Sequence, residues 1–342
     1  MKFFRTLIAE LVNTGIEVDI ACNVGEQSVL SFYSNLGCNI FQVDFSRNPV
    51  SLENVKATKQ LMAIIDQGGY NIVHCHTPVA GVCTRLACRK RRKNGLRVIY
   101  TAHGFHFYKG APVKNWIVYY PIEKLCAHWT DTLITINKED YALAKKKMRS
   151  DRIEYVPGVG IDSNSFSHTV INRDVKRNEI GVPPNAKMLL SVGELNVNKN
   201  HQAVVEAISK INNSNIHYVI AGIGDQEENL AHLADELDVN LHLLGYRNDV
   251  AELYRIADLY VLPSFREGLN VSVMEALASG CPTIVSRIRG NVDMVPSENT
   301  FNPNDINALA ELIERDKIIN GDFVKQVDYS KINQKMRQIM GI

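Results

Sequence analysis

The sequence contains no CxxC pair, almost no net charge, and no apolar run of the ~18–20 residues that a membrane-spanning helix needs. Its seven cysteines are odd in number and scattered, which argues for reduced thiols in a cytosolic compartment rather than a disulfide framework or a zinc site. The opening MKFFRTLIAELV starts basic, but Glu10 breaks its apolar run and no small-residue cleavage site follows, so it does not read as a secretory leader. Fixed-period repeats and low-complexity tracts are absent as well. The net charge of +1 hides an asymmetry: residues 1–168 carry 21 Lys and Arg against 14 Asp and Glu, and the remainder 17 against 23. Within the basic half, the run ArgLysArgArgLys at 89–93 reads either as a solvated helix end or as a patch for anionic lipid headgroups, peripheral to a membrane. No aromatic residues interleave with it, which argues against nucleic acid.

What is present is a length beyond one core and a regular alternation. At 342 residues two domains are expected, and 45% hydrophobic with 22% charged residues is ordinary for a globular chain. Short β-branched runs at 17–22, 39–45, 71–76, 97–103, 131–137, 153–158, 188–195, 217–223, 240–246, 259–264 and 282–287 alternate with helical periods, among them 51–67, 78–92, 200–212, 225–237 and 305–315. This pattern predicts an α/β fold of two Rossmann-like domains, each a parallel sheet with ligands at the carboxyl ends of its strands. The polar, Pro-containing stretch SNSFSHTVINRDVKRNEIGVPPN separates them, with domains expected at 1–168 and 169–327 and a closing amphipathic helix over 328–342. A doubly wound domain normally opens on a strand and a glycine turn, whereas residues 3–14 already read as a helix. The first strand of the first domain is therefore expected to be missing.

Several motifs carry chemistry. FREGLNVSVMEALASG (265–280) sets Glu267 and Glu275 eight residues apart. On one helix they would lie roughly 80° apart, but Glu267-Gly268 reads as a loop and Asn270 as the N-cap of the helix that follows. The unpaired N–H groups of such a helix start favour a phosphate, and Glu275 could accept both hydroxyls of a ribose. A surface loop before an ordinary amphipathic helix is the plainer alternative. In GELNVNKNH (193–201), Lys199 is either a solvated loop lysine or a point-charge partner for a diphosphate. AGIGD (221–225) lacks the third glycine of GxGxxG, because Glu227 stands there, so it signals close backbone approach more than a dinucleotide. His103 in TAHGFHFYKG ends a strand, where parallel-sheet enzymes keep working groups, and a neutral imidazole there could donate to a substrate hydroxyl or phosphate. His74 and His76 share one strand face but have no third ligand at a helpful spacing, so they read as core histidines rather than a metal pair.

Taken together, Glu267-x7-Glu275, SVGELNVNKNH, LGYRNDVAELYRIADLYVLPS, TAHGFHFY and VPGVGID resemble the retaining family-4 glycosyltransferases of the GT-B fold over nearly the whole chain. Within that family the resemblance is to bacterial enzymes of capsule, exopolysaccharide and lipid-linked glycan synthesis. It implies a nucleotide-sugar donor, UDP-linked by family weight, a glycan or polyprenyl-linked acceptor, and no metal or cofactor besides the donor. It implies donor contacts from Gly193, Lys199 (diphosphate), Gly222, Tyr246 and Arg247 (near the base). Leu269, Asn270 and Val271 would cradle the distal phosphate, and Glu275 would bind the ribose. His103, Glu267 and Gly268 are implied at the sugar, with Glu267 positioning rather than attacking. A sugar-nucleotide epimerase would share the architecture but needs an acid–base pair that the sequence does not offer. A degenerate nucleotide-sugar binder without turnover is the other alternative.

Three departures from the family pattern stand out. Glu194 replaces an arginine that many members place before the phosphate lysine, PGVGID (157–162) is one residue longer than the usual linker, and the first strand with its glycine loop is not found. A sheet without that strand exposes backbone edges at its middle. Turnover by this chain is thus expected to be lower than that of a version extended at its amino end by a strand and a glycine turn. Equal turnover of the two in a donor-consumption assay would contradict this.

Overall fold

The computed structural model describes residues 4–24, 27–46, 48–168 and 171–342, so Phe3 of the expected first helix and residues 169 and 170 at the expected boundary lie outside the described residues. The chain forms two compact units, Met1–Gly160 with Tyr329–Ile342, and Ile161–Asp328. The division falls earlier than the polar stretch suggests. Ile161 donates its N–H to the Val327 carbonyl at 2.9 Å and bridges to Asp328, which ties residue 161 onward to the second unit.

The first unit runs through α1 (Arg5–Asn13), β1 (Ile20–Cys22), α2 (Gln27–Asn35), β2 (Ile40–Gln42), α3 (Glu53–Gly68), β3 (Ile72–His76), α4 (Pro78–Cys88), β4 (Arg97–Ala102), α5 (Val113–Ala127), β5 (Thr132–Thr135), α6 (Lys138–Lys147) and β6 (Arg152–Tyr155). Local chemistry punctuates these elements. Gly69 ends α3 in the left-handed region (φ 60°), and the Asn137 side chain caps α6 by accepting from the Asp140 N–H. Strands β3 to β6 form a four-stranded parallel sheet in chain order, while β1 and β2 form a separate parallel pair. Among the described residues no strand precedes β1. Among the described residues β1 pairs only with β2, and β3 only with β4.

The basic run does not simply continue the helix read at 78–92. α4 stops at Cys88, and Arg91–Asn94 wind as a 3₁₀ turn that Gly95 closes at φ 94°. α5 was not legible at all, because apolar residues surround it on every side and leave no helical contrast. It is held from beneath: the buried Arg85 guanidinium on α4 grips Glu123 with two hydrogen bonds of 2.9 and 3.1 Å and lies 3.9 Å from the Tyr100 ring centre. Trp116, Tyr120, Phe107 and Ala127 fill the surrounding core.

The second unit comprises α7 (Ser163–Ser167), α8 (Arg173–Glu179), β7 (Lys187–Val192), α9 (Gln202–Ile211), β8 (Ile216–Ala221), α10 (Glu227–Glu236), β9 (Asn240–Leu243), α11 (Val250–Ile256), β10 (Leu259–Leu262), α12 (Val271–Ala278), β11 (Thr283–Ser286), β12 (Thr300–Phe301) and α13 (Ile306–Glu314). Its strands pair in parallel in the order β12-β11-β10-β7-β8-β9. From β7 the chain winds outward one way through β8 and β9, then restarts at β10 and winds the other way. The crevice at the carboxyl ends of β7 and β10 is thus the switch point where such sheets bind ligands. β12 had no sequence signal, being only two residues long.

The last helix, α14 (Tyr329–Met340), belongs to the first unit. Ile332, Met336 and Ile339 pack with Leu7, Leu11, Ile134 and Val156, and Asn333 donates to Glu10 at 2.7 Å. Arg97 caps the helix by donating to the Met340 and Ile339 carbonyls.

Because Arg85 and Glu123 are both buried, removing one partner leaves a charge without compensation. Arg85→Ala is expected to lower unfolding free energy by about 3–5 kcal/mol in urea titrations, with recovery in an apolar double replacement such as Arg85→Met with Glu123→Leu. A loss below about 1 kcal/mol would show the pair to be unimportant.

Candidate active site

The second unit gathers its charged groups at the switch point. Gly193 follows β7, and the loop it opens makes a 3₁₀ turn in which the Asn196 side chain accepts from the Lys199 N–H at 3.0 Å. Asn200, in the left-handed region at φ 56°, anchors the loop by donating to the Pro263 and Pro303 carbonyls. Lys199 leaves this loop and meets Glu267, which follows β10: Nζ lies 2.8 Å from Oε1, with only 16% and 14% of the two side chains exposed. The expected diphosphate cation and the expected sugar carboxylate are therefore bonded to each other. Glu194, where an arginine was expected, is exposed and accepts from the Asn196 amide at 2.9 Å.

α12 starts beside this pair. Asn270 is buried and its side chain accepts from the Ser272 N–H at 2.9 Å and the Ser272 hydroxyl at 2.6 Å, while the Tyr260 hydroxyl joins the same serine. Gly268 and Leu269 precede the cap and Val271 opens the helix. Glu275, one turn further on, accepts from the buried Tyr254 hydroxyl at 3.0 Å. Desolvation pushes its carboxyl up to about 7, only partly offset by that hydrogen bond. The carboxylate is held ready at the edge of ionisation.

The glycines of AGIGD serve close approach. A Cβ on Gly222 would collide with the Gly193 carbonyl, and one on Gly224 with the Leu195 carbonyl, because the loops after β7 and β8 run side by side. Gly193 and Gly222 thus shape the crevice floor together. Gly290 does the same for Gly268, and brings in a cation that the sequence reading missed: Arg289 donates to the Glu267 carbonyl at 3.4 Å. Its signal was the SRIRG stretch that follows β11. Tyr254, which orients Glu275, was also missed, since a buried tyrosine has no sequence mark of its partner.

Tyr246 is exposed in the turn after β9. Arg247 is not a free cation for a ligand: its guanidinium is engaged by Asp249 and by Glu179, in a network where Lys176 also meets Asp249 and Glu252 at 2.6 and 2.8 Å.

In the first unit, His103 follows β4, and its Nε2 lies 3.2 Å from Nδ1 of His76 at the end of β3. The His74 ring lies 4.1 Å from the His76 ring, tilted against it, with Nε2 2.8 Å from the Thr101 hydroxyl, and Phe4 covers His76. Burial lowers all three imidazoles, His103 to about 4 and His74 to about 3, so the cluster is neutral at physiological pH. Among the described residues no group of three or more His, Cys, Asp or Glu is placed to hold a metal ion.

Folding raises the Glu275 carboxyl from 4.5 to about 7, so the stability it lends is complete below pH 4.5 and is lost as pH rises through 7. Glu275→Gln is therefore expected to raise Tm at pH 8, with a much smaller change at pH 5. Equal Tm changes at both pH values would place the carboxyl in water instead.

With this geometry established, comparison with known proteins places the chain in a family. Residues 172–335 match the family model described as Glycosyl transferases group 1, and residues 2–137 match Glycosyl transferase 4-like. EpsD of Bacillus subtilis (strain 168) is 38% identical over 294 residues, covering 84% of this chain and 76% of EpsD. A UDP-Gal:alpha-D-GlcNAc-diphosphoundecaprenol alpha-1,3-galactosyltransferase of Escherichia coli is 30% identical, covering 94% of this chain and 89% of that enzyme. The fold is also that of Anabaena HepE, solved in complex with UDP, with a TM-score of 0.80 at 14% identity over 100% of this chain and 96% of that one. The chain belongs to the family-4 type of GT-B glycosyltransferases and transfers a sugar from a nucleotide-sugar donor to a glycan or lipid acceptor.

Proposed function

We propose that the protein moves a hexose or N-acetylhexosamine, with retention, from a UDP-sugar to a glycan or polyprenyl-linked acceptor in surface polysaccharide synthesis. The observation that carries the site assignment is the Lys199–Glu267 contact at the switch point, beside the start of α12 and one turn from Glu275. A UDP donor and a lipid diphosphate acceptor are those of the Escherichia coli relative, which supports the same pair here.

In this proposal the donor diphosphate takes the Lys199 ammonium from Glu267. The freed carboxylate accepts hydroxyls of the sugar, so one displacement both binds phosphate and prepares the sugar subsite. N–H groups around Leu269, Asn270 and Val271 receive the distal phosphate, and their dipoles together with Lys199 stabilise the departing nucleoside diphosphate. Glu275 accepts the ribose hydroxyls while Tyr254 fixes its rotamer. Gly193, Gly222 and Gly268 let backbone approach the donor without side chains in the way. Tyr246 is assigned to the base, and Arg247 holds the turn that carries it rather than binding the ligand. His103, neutral, serves as a hydrogen-bond partner for substrate hydroxyls. No protein nucleophile is needed if the leaving phosphate helps deprotonate the acceptor. Peripheral contact with an anionic membrane is part of the proposal. Arg91 and Arg92 are committed to Asp66, Asp131 and Asp151, whereas Arg89, Lys90 and Lys93 remain exposed.

Thermal-shift screening against UDP-, GDP- and ADP-sugars is expected to single out the UDP compounds, since a ligand that binds only the native state raises Tm. Lys199→Ala should lower kcat/KM by about 100-fold. Glu267→Ala should depress transfer far more than UDP binding. Wild-type kinetics in both variants would make the site assignment wrong.

A further inference from the structure

The outer face of α5 is apolar and unpartnered. Val113, Ile117, Val118, Pro121, Ile122 and Leu125 are all exposed, with Val113 at 73%, Ile117 at 69% and Leu125 at 55%. At 100° per residue these six fall within one half of the helix circumference, and the only other residues in that arc are Lys114 and Lys124. No carboxylate interrupts it. The opposite half carries Trp116, Tyr120, Glu123, Cys126 and Ala127, which anchor the helix in the core. The exposed stripe is thus held rigidly outward rather than awaiting a rotation into the core. Contiguous apolar surface on the order of a few hundred Å² marks an interaction site.

Charge selects the partner. Arg92 donates to the carbonyl of His128, which caps α5, at 2.8 Å, and the Arg89 guanidinium lies 5.9 Å from the ring centre of Trp129 just beyond it. The 3₁₀ turn bearing the basic run is therefore fastened to the carboxyl end of the stripe, and Arg89, Lys90 and Lys93 stand exposed beside it. Of the two tryptophans in the sequence, Trp116 sits in the first turn of α5 on its core-facing half and Trp129 two residues beyond its carboxyl end, each half-buried. An apolar face that carries two lysines and no carboxylate, with a basic turn and a half-buried tryptophan at its carboxyl end, is the composition that settles at a bilayer interface. The helix is about 22 Å long, short of the ~30 Å hydrocarbon core, so it suits lying on the surface. We propose that α5 lies in the headgroup region of an anionic bilayer, with its apolar face inserted and the basic turn on the lipid phosphates. This rests on the reading of the acceptor as lipid-linked, because it brings the enzyme to the surface where such an acceptor resides.

The test is co-sedimentation of the full chain with vesicles of phosphatidylcholine alone or mixed with phosphatidylglycerol. Binding is expected only to the anionic vesicles, weakening as salt rises, with a blue shift of tryptophan emission. Ile117→Ser with Leu125→Ser, both on solvent-exposed positions, should weaken it by about tenfold, and Lys90→Glu with Lys93→Glu by a similar factor. The UDP thermal shift of each variant should match that of the parent protein, so failure of the donor-site assignment would appear there and not in the vesicle assay. Parent-level vesicle binding by the serine variant would overturn the proposal, as would failure of the parent to bind anionic vesicles. So would a vesicle-free dimer that the serine variant abolishes, which would make a second copy the occupant.

Discussion

The ion pair between Lys199 and Glu267 depends on two strands that neighbour each other only because the sheet reverses its winding. β7 and β10 pair through Leu189 with Leu259 and Leu190 with Tyr260, so the loops that follow them leave the sheet side by side. A buried polar chain stiffens this point. His201 is 2.9 Å from the Tyr218 hydroxyl, which donates to Ser191, whose own hydroxyl donates to the Val261 carbonyl at 2.6 Å. Three strands and the loop after β7 are thereby tied to one another. A cation and a carboxylate 68 positions apart in sequence are then held within one hydrogen bond, mostly shielded from water, where their exchange for a phosphate and a sugar hydroxyl would act over a short range.

Around that pair the structure accepts local costs. Backbone runs against backbone at Gly193–Gly222, Leu195–Gly224 and Gly268–Gly290, where any side chain would collide. Glu275 is desolvated enough to resist ionisation at neutral pH, so that ionising it there opposes folding. Arg247 shows the opposite arrangement: two carboxylates, Asp249 and Glu179, consume it in holding a turn.

The first unit is organised differently. Its four-stranded sheet carries three buried histidines at the ends of β3 and β4, in tilted ring contact, and their desolvation keeps them neutral. On the far side a buried Arg–Glu pair fixes α5 with its apolar face outward. Both features put polar or charged groups where burial makes them rigid.

Much of this was legible in the sequence. The alternation of β-branched runs with helical periods was enough for two parallel-sheet units, since strands buried on both faces must be apolar throughout. Asn270 marked a helix start because its side chain serves the orphan N–H groups locally, and Glu267 and Glu275 stood out by their spacing. Contacts between distant positions were not legible. That Lys199 bonds Glu267, that Tyr254 orients Glu275, that Arg289 joins the same loop, and that Arg91 and Arg92 are spent on aspartates all follow from strand order and helix packing. α5 escaped detection for a related reason: a helix apolar on all sides has no periodic contrast, and only packing of its inner half determines which apolar residues are left facing solvent.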